Sequence, residues 1–395
     1  MRPVTRVLAA CIGLLLVVGV VGAVTVDDDA SAPARTVATS AASTTTAAPT
    51  NTTSAPDIGA LVHELQGFVE DHRGLKFSQP IKVALLADAA FSARVVELSK
   101  QDDAELLRTG AELRALGLLK PGVDLIKARN ELLGAAIVGF YDPKTTELVV
   151  RGSKVTPLVR TTLAHEITHA LQDQTFHIEH PEFKDRDDEV DIAFSAIAEG
   201  DALRVEEAYR NTMTRSEQRQ EAAEERVAAQ RINSKDIPPI LSQLLVFPYA
   251  DGPPLVSALL RSGQGRLDDA FRRPPTTTEQ VMHPERFIAG EGPKPVPDPT
   301  ADAAQIDKGV MGELVLKLLL GTVLPNDQAG RDAAGWGGDR YVAWSDGDRT
   351  CVRVAFVMDT PNDEQELRTG LTIWATKQKA ATVSRSGPTT LTTCA

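Results

Sequence analysis

Thr162-Leu163-Ala164-His165-Glu166-Ile167-Thr168-His169-Ala170-Leu171-Gln172 is the stretch on which the reading of this chain turns. On a helix, two histidines four apart lie on one face, a turn apart, and can share a Zn²⁺. Glu166 between them is then placed to work on the attacking water. The helical context is written around the motif. Leu158, Val159, Thr162, Leu163, Ile167, Ala170 and Leu171 form an apolar stripe at helical spacing, and Pro157 falls in the first turn, where its missing N–H costs nothing.

A zinc held by two histidines needs a third protein ligand, with a fourth position open for water. The histidine-ended extension HExxHxxGxxH is excluded, because Gln172 replaces its glycine and Thr175 its last histidine. His177 and His180 follow closely, but Pro181 and the polar residues around them read as a loop. The better candidate is Glu199, in Ala196-Ile197-Ala198-Glu199-Gly200-Asp201-Ala202, on a helical segment spanning roughly 189–212. A carboxylate in so small and apolar a setting is costly to bury unless a cation compensates it. Gly200 and the alanines also let this helix pack close to the first. Glu189, Asp191 and Asp201 are the alternative ligands, and a surface role for Glu199 is the bland one.

His165-Glu166-x-x-His169 followed about 30 residues later by Glu199 resembles the gluzincin group of zinc metallopeptidases, the thermolysin-like class. The resemblance implies Zn²⁺ held by His165, His169 and Glu199, with Glu166 as general base in peptide-bond hydrolysis. One position departs from the pattern: an aspartate is expected four residues after the ligand glutamate, and Leu203 stands there. The groups that orient the histidines must come from elsewhere, with Asp201 and Asp173 nearest in sequence. Phe247 to Gly252, Pro274 to Phe287 and Gly335 to Arg340 are similar to segments accompanying HExxH in exported bacterial proteins of gluzincin type. The resemblance therefore runs from about residue 58 to the C-terminus.

Peptide hydrolysis also needs a donor for the developing oxyanion, and Tyr249 and His283 are the candidates. His283 sits in a Pro-rich segment where helix packing does not explain it. Thr278 there equally suits a helix cap. Upstream, Ala135 to Tyr141 and Glu147 to Arg151 flank Asp142-Pro143-Lys144-Thr145-Thr146, a hairpin signal just before the HExxH helix. A strand beside the metal would let an extended peptide add to the sheet edge, although a purely structural hairpin fits equally.

The flanks set location and architecture. Arg2 and Arg6 precede an uncharged, mostly apolar run from Val7 to Val26, closed by Asp27-Asp28-Asp29. Residues 1–26 read as a signal anchor that leaves the catalytic part outside the cell membrane; the alternative is a signal peptide cleaved near Val21-Gly22-Ala23 and a secreted product. Cys11 lies too early in the run for a lipobox. Residues 27–57 are nearly all Ala, Ser, Thr and Pro and form a tether. Of three cysteines, Cys351 and Cys394 form an even pair, and an exported chain should join them, contributing about 4 kcal/mol in the chain-entropy model. The net charge of −12 argues against nucleic acid as a partner.

The expected fold is α+β. A zincin-like core over 58–290 has a mixed sheet or hairpin beside the HExxH helix and a largely helical middle. A Pro-rich stretch from about 290 to 299 leads to a small α+β part over 300–395, with a helix from roughly 303 to 320, a hairpin of 340–344 with 351–358, and a helix from 361 to about 379. The expected function is an exported, zinc-dependent peptidase acting on peptide or protein substrates. Two alternatives are a non-catalytic cell-surface zinc-binding protein and a zinc hydrolase of cell-wall amide bonds.

Overall fold

The structure, a computed structural model, describes residues 58–100, 103–178, 189–232, 235, 237–384 and 387–395, together with the backbone of 15–18. The expected anchor over 1–26, apart from that short backbone stretch, and the tether over 27–57 lie outside the described residues, as does His180. Among the described residues no helix is long and apolar enough to cross a membrane.

The chain is α+β. It runs through β1 (Leu15–Val18), α1 (Ile58–Arg73), β2 (Lys82–Leu86), α2 (Asp88–Ser99), α3 (Asp103–Ala115), α4 (Leu125–Ala136), β3 (Ile137–Asp142), β4 (Glu147–Arg151), α5 (Pro157–Phe176) and α6 (Glu189–Arg210). There follow α7 (Arg215–Ala229), α8 (Pro239–Leu260), α9 (Gln264–Arg272), α10 (Thr278–Met282) and α11 (Pro284–Ala289). The last part holds β5 (Gln305–Gly309), α12 (Gly312–Gly321), α13 (Asn326–Ala333), β6 (Trp336–Asp346), β7 (Arg349–Met358), α14 (Pro361–Ala375), β8 (Ala381–Val383) and β9 (Thr390–Cys394).

The first sheet has the order β1-β3-β4-β2, with β3 antiparallel to β4, β2 parallel to β4, and β1 antiparallel along the outer edge of β3. The hairpin joining β3 and β4 turns where the sequence signals it. Asp142 accepts from the Lys144 N–H (3.0 Å) and from the Thr145 hydroxyl (2.9 Å), which closes the turn.

The HExxH helix α5 starts on Thr156, whose side chain accepts from the Val159 N–H, with Pro157 in the first turn. It ends at His177, which takes a left-handed conformation (φ 56°) and donates its N–H to Asp173 O. The apolar stripe understates its position: every residue from Thr161 to Gln172 is buried, so this is a central helix. Glycines bring its neighbours close. A Cβ on Gly139 of β3 would stand 2.5 Å from Thr162 Cγ2 and 3.2 Å from Glu166 Oε1. Where α6 crosses α8, a Cβ on Gly200 would lie 2.5 Å from the Gly252 carbonyl, and one on Gly252 would collide with Ala196 O.

The second sheet is antiparallel throughout, in the order β5-β6-β7-β9-β8. Cys351 and Cys394 face each other across β7 and β9 and are disulfide-bonded. One expectation fails here: the helix predicted over 303–320 is split, with Gln305–Gly309 forming strand β5 and only Gly312–Gly321 helical. Gly309 and Gly312 interrupt the run, Gly312 at φ 78°, and Asp307 turns inward to accept from the Tyr341 hydroxyl at 3.0 Å. The helix from 361 also stops earlier than expected, at Ala375.

One apolar cluster extends from Leu61 to Leu391, and the Thr393 hydroxyl donates to Ala115 O at 2.9 Å. The two parts of the chain therefore share a core. Residues 293–296 run along β6, the Lys294 N–H donating to Gly337 O at 2.6 Å. Beside them sits a buried carboxyl cluster. Glu189 accepts from the Thr278 hydroxyl (2.7 Å) and N–H (3.2 Å), Asp339 accepts from the N–H groups of Met311 and Gly312 (both 2.8 Å), and Glu313 pairs with His283 at 2.9 Å. Burial pushes Glu189 well above the usual carboxyl range, and pushes Glu279 up to about 7 against the pull of Arg286.

Two outcomes follow from this packing. Gly252→Ala should destabilise the protein by about 1–3 kcal/mol or more, because the collision is with backbone, read as a lowered urea midpoint. A carboxyl whose folded pKa is raised adds stability below its ordinary pKa that is lost as pH rises through the folded value. Stability should therefore decline between about 4.5 and about 7 through Glu279, and Glu279→Gln should flatten that decline in denaturation curves taken across the window.

Candidate metal centre

Helices α5 and α6 pack side by side and bring His165, His169 and Glu199 together. One potential ligand atom from each lies within 4.8 Å of the others, a grouping found among the described residues. Glu199 Oε2 stands 3.1 Å from His165 Nε2 and 3.4 Å from His169 Nε2. All three residues are buried, as is Glu166, the residue after His165 on α5.

The outer nitrogens of both rings are committed elsewhere. His165 Nδ1 lies 2.8 Å from Glu206 Oε2; a carboxylate only accepts, so this nitrogen carries the hydrogen. His169 Nδ1 lies 2.9 Å from Gln172 Oε1. The orientation of that amide is fixed, because Gln172 Nε2 donates to Ala198 O (3.1 Å) and Asp201 Oδ2 (3.0 Å). Its oxygen therefore faces the ring, and His169 Nδ1 is also the protonated nitrogen. Both Nε2 lone pairs then converge on the Glu199 carboxylate.

Three acceptors aimed at one buried point are an arrangement that a cation would stabilise. His169 Nε2 makes no hydrogen bond. Burial pushes the His165 imidazolium down, yet the Glu199 and Glu206 carboxylates outweigh it and raise its pKa to about 10, so a proton is drawn to the place a metal would take. Burial likewise raises Glu199, and His169 and His165 bring it down to about 2. Two imidazoles and a carboxylate form the mixed N/O donor set that suits Zn²⁺ and leaves a fourth position free. The residues present fit the metal.

The supporting groups differ from those nearest in sequence. Asp173 accepts from the Tyr141 hydroxyl at 2.9 Å and holds neither histidine. Asp201 reaches His169 only through Gln172, and is itself paired with Arg73 at 2.7 Å and Arg204 at 2.8 Å. Glu206 was not foreseen. It lies seven residues after Glu199, two turns along the same face of α6, whereas the expected position four residues on is Leu203. Gln172 was visible as a departure from the histidine-ended motif, and its i+3 spacing from His169 was the available signal.

The remaining candidates go to other places. His177 is the C-cap of α5, and Glu189 belongs to the carboxyl cluster around Thr278. His283 Nε2 donates to Glu313 Oε1, 2.9 Å away, beside that same cluster. Tyr249 is buried on α8, one turn before Gly252, where α8 meets α6 next to Glu199.

Residues 300–394 match a family model described as a domain of unknown function (DUF8575), while no curated protein and no solved structure matches the chain.

Proposed function

We propose that this chain is an exported zinc-dependent peptidase of gluzincin type, with a zincin-like core in which His165, His169 and Glu199 are the ligands and Glu166 is the general base. The observation that carries the reading is the convergence of three buried ligand atoms within 4.8 Å, with a buried Glu166 next to His165 in the sequence of the same helix. Zinc at that point would polarise a scissile carbonyl and make water acidic enough to attack it. Glu166 takes the proton from the attacking water and passes it to the leaving amine.

The surroundings of Glu166 support this assignment. Gly139 removes the side chain that would otherwise stand against Glu166 Oε1, so β3 lies directly beside the general base. Tyr249 is the candidate for the oxyanion, being on the helix that touches α6 beside Glu199. His283, engaged by Glu313, is the weaker one.

Catalysis is favoured over a purely structural metal, since structural zinc is usually closed by four protein ligands and the group among the described residues has three. The Cys351–Cys394 disulfide fits an oxidising compartment, which supports placing this domain outside the cell membrane.

Glu166→Gln should bind zinc stoichiometrically, as measured by elemental analysis, and lose at least about a hundredfold in hydrolysis of an unfolded protein substrate. Full activity in that variant would sink the mechanism. Glu199→Ala should lower zinc affinity, whereas unchanged affinity would remove Glu199 from the ligand set.

A further inference from the structure

Helix α7 is an unusual piece of this molecule. Of its residues only Glu221 and Ala228 are buried, so it is not held down by an apolar face. It is fastened instead by charge and hydrogen bonds. Glu217 pairs with Arg160 at 2.9 Å and Glu224 accepts from the Leu158 N–H at 3.1 Å, both on the first turn of α5. Its third attachment is Arg210, at the end of α6. The Arg210 Nε lies 3.0 Å from both oxygens of Glu221, and its Nη2 lies 3.5 Å from Glu225.

The same guanidinium reaches the metal centre. Arg210 Nη2 stands 2.6 Å from Glu206 Oε1, while the other oxygen of that carboxylate, Oε2, receives His165 Nδ1–H at 2.8 Å. An unbroken sequence of bonded groups thus runs from His165 through Glu206 and Arg210 to Glu221 on α7. Along one side, α7 also walls a cleft of about 600 Å³, where Ala223 and Val227 look across to Val138 and Thr162, the latter one turn before His165.

We propose that Glu206 is a positioning residue with two duties: it orients His165 for the metal, and through Arg210 it fastens α7, so that metal binding and the docking of α7 are coupled. The inference rests on the metal-centre reading above. A cation on Nε2 makes the opposite N–H a stronger donor and fixes the Glu206 carboxylate. A fixed carboxylate holds Arg210 in one arrangement among Glu206, Glu207, Glu221 and Glu225, and Arg210 in turn holds α7. Coupling of this kind is reciprocal: whatever loosens α7 at Glu221 must weaken metal binding, although Glu221 touches neither histidine.

The test uses the full chain, with zinc affinity measured against a chromogenic chelator and amide hydrogen exchange followed over residues 215–229 with and without zinc. In the wild type, zinc should slow exchange across α7. Glu206→Gln should weaken zinc binding about tenfold to a hundredfold and abolish that slowing. Glu221→Gln should weaken it roughly threefold to tenfold and speed α7 exchange in both states, a coupling of ordinary allosteric size. Wild-type affinity in Glu221→Gln would overturn the proposal. Should that variant fail to fold, the wild-type comparison decides alone: zinc that binds and leaves α7 exchange unchanged overturns the coupling while leaving the metal centre standing. A wild-type chain that binds no zinc overturns both.

Discussion

Two imidazoles and a carboxylate, buried with their acceptor atoms within 4.8 Å of one another, are expensive to hold in a protein interior, and much of the surrounding structure answers that expense. Each histidine is backed by a relay that leads outward. From His169 it passes through Gln172 and Asp201 to Arg73 and then to Asp268, which is partly exposed. From His165 it passes through Glu206 to Arg210 and then to Glu207 and Glu225 near solvent. Beyond Gln172 the charges alternate along both routes, so each ion in them has an opposite neighbour. The relays differ in their first member, a neutral amide behind one ring and a carboxylate behind the other, which makes His165 the more electron-rich donor.

Glycine supplies the space these relays and ligands need. Gly139 admits β3 to the flank of α5, and Gly200 with Gly252 lets α6 and α8 touch backbone to backbone beside Glu199. The second sheet, though remote in sequence from the motif, is tied to the same core through the cluster that ends at Leu391 and through the carboxyl groups around Thr278. The matched domain over 300–394 thus shares the core and comes close to the start of α6, where Gly312 stands against Glu189.

The sequence was most legible where chemistry is local. The α5 helix, its Pro157 start, the hairpin of β3 and β4, the α6 helix and the Cys351–Cys394 pair were all readable, because caps, turns and periodicity act over a few residues. It was least legible where partners come from afar. Glu206 sits seven residues from Glu199 in a run of charged residues, and nothing local marks it as buried against His165. His283 drew attention by its rarity, yet its partner Glu313 is 30 residues away, on a helix misread at its start. Strand β5 is hidden in the sequence because Gln305-Ile306-Asp307-Lys308-Gly309 carries one large apolar residue and no alternation, so nothing local separates it from the apolar helix that follows.

The contact between α6 and α8 has a mechanical meaning. Side chains between helices form a compliant layer, able to change rotamer and let the helices breathe. Between Gly200 and Gly252 no such layer exists, so the backbone atoms of α8 form a hard stop behind the segment that carries Glu199. The carboxylate can then yield only by turning about its own side-chain bonds or by moving with α6 as a whole. On the reading proposed above, so firm a backstop would favour a cation of one size, and the centre's selectivity would then be set as much by two missing methyl groups as by the three residues facing the ion.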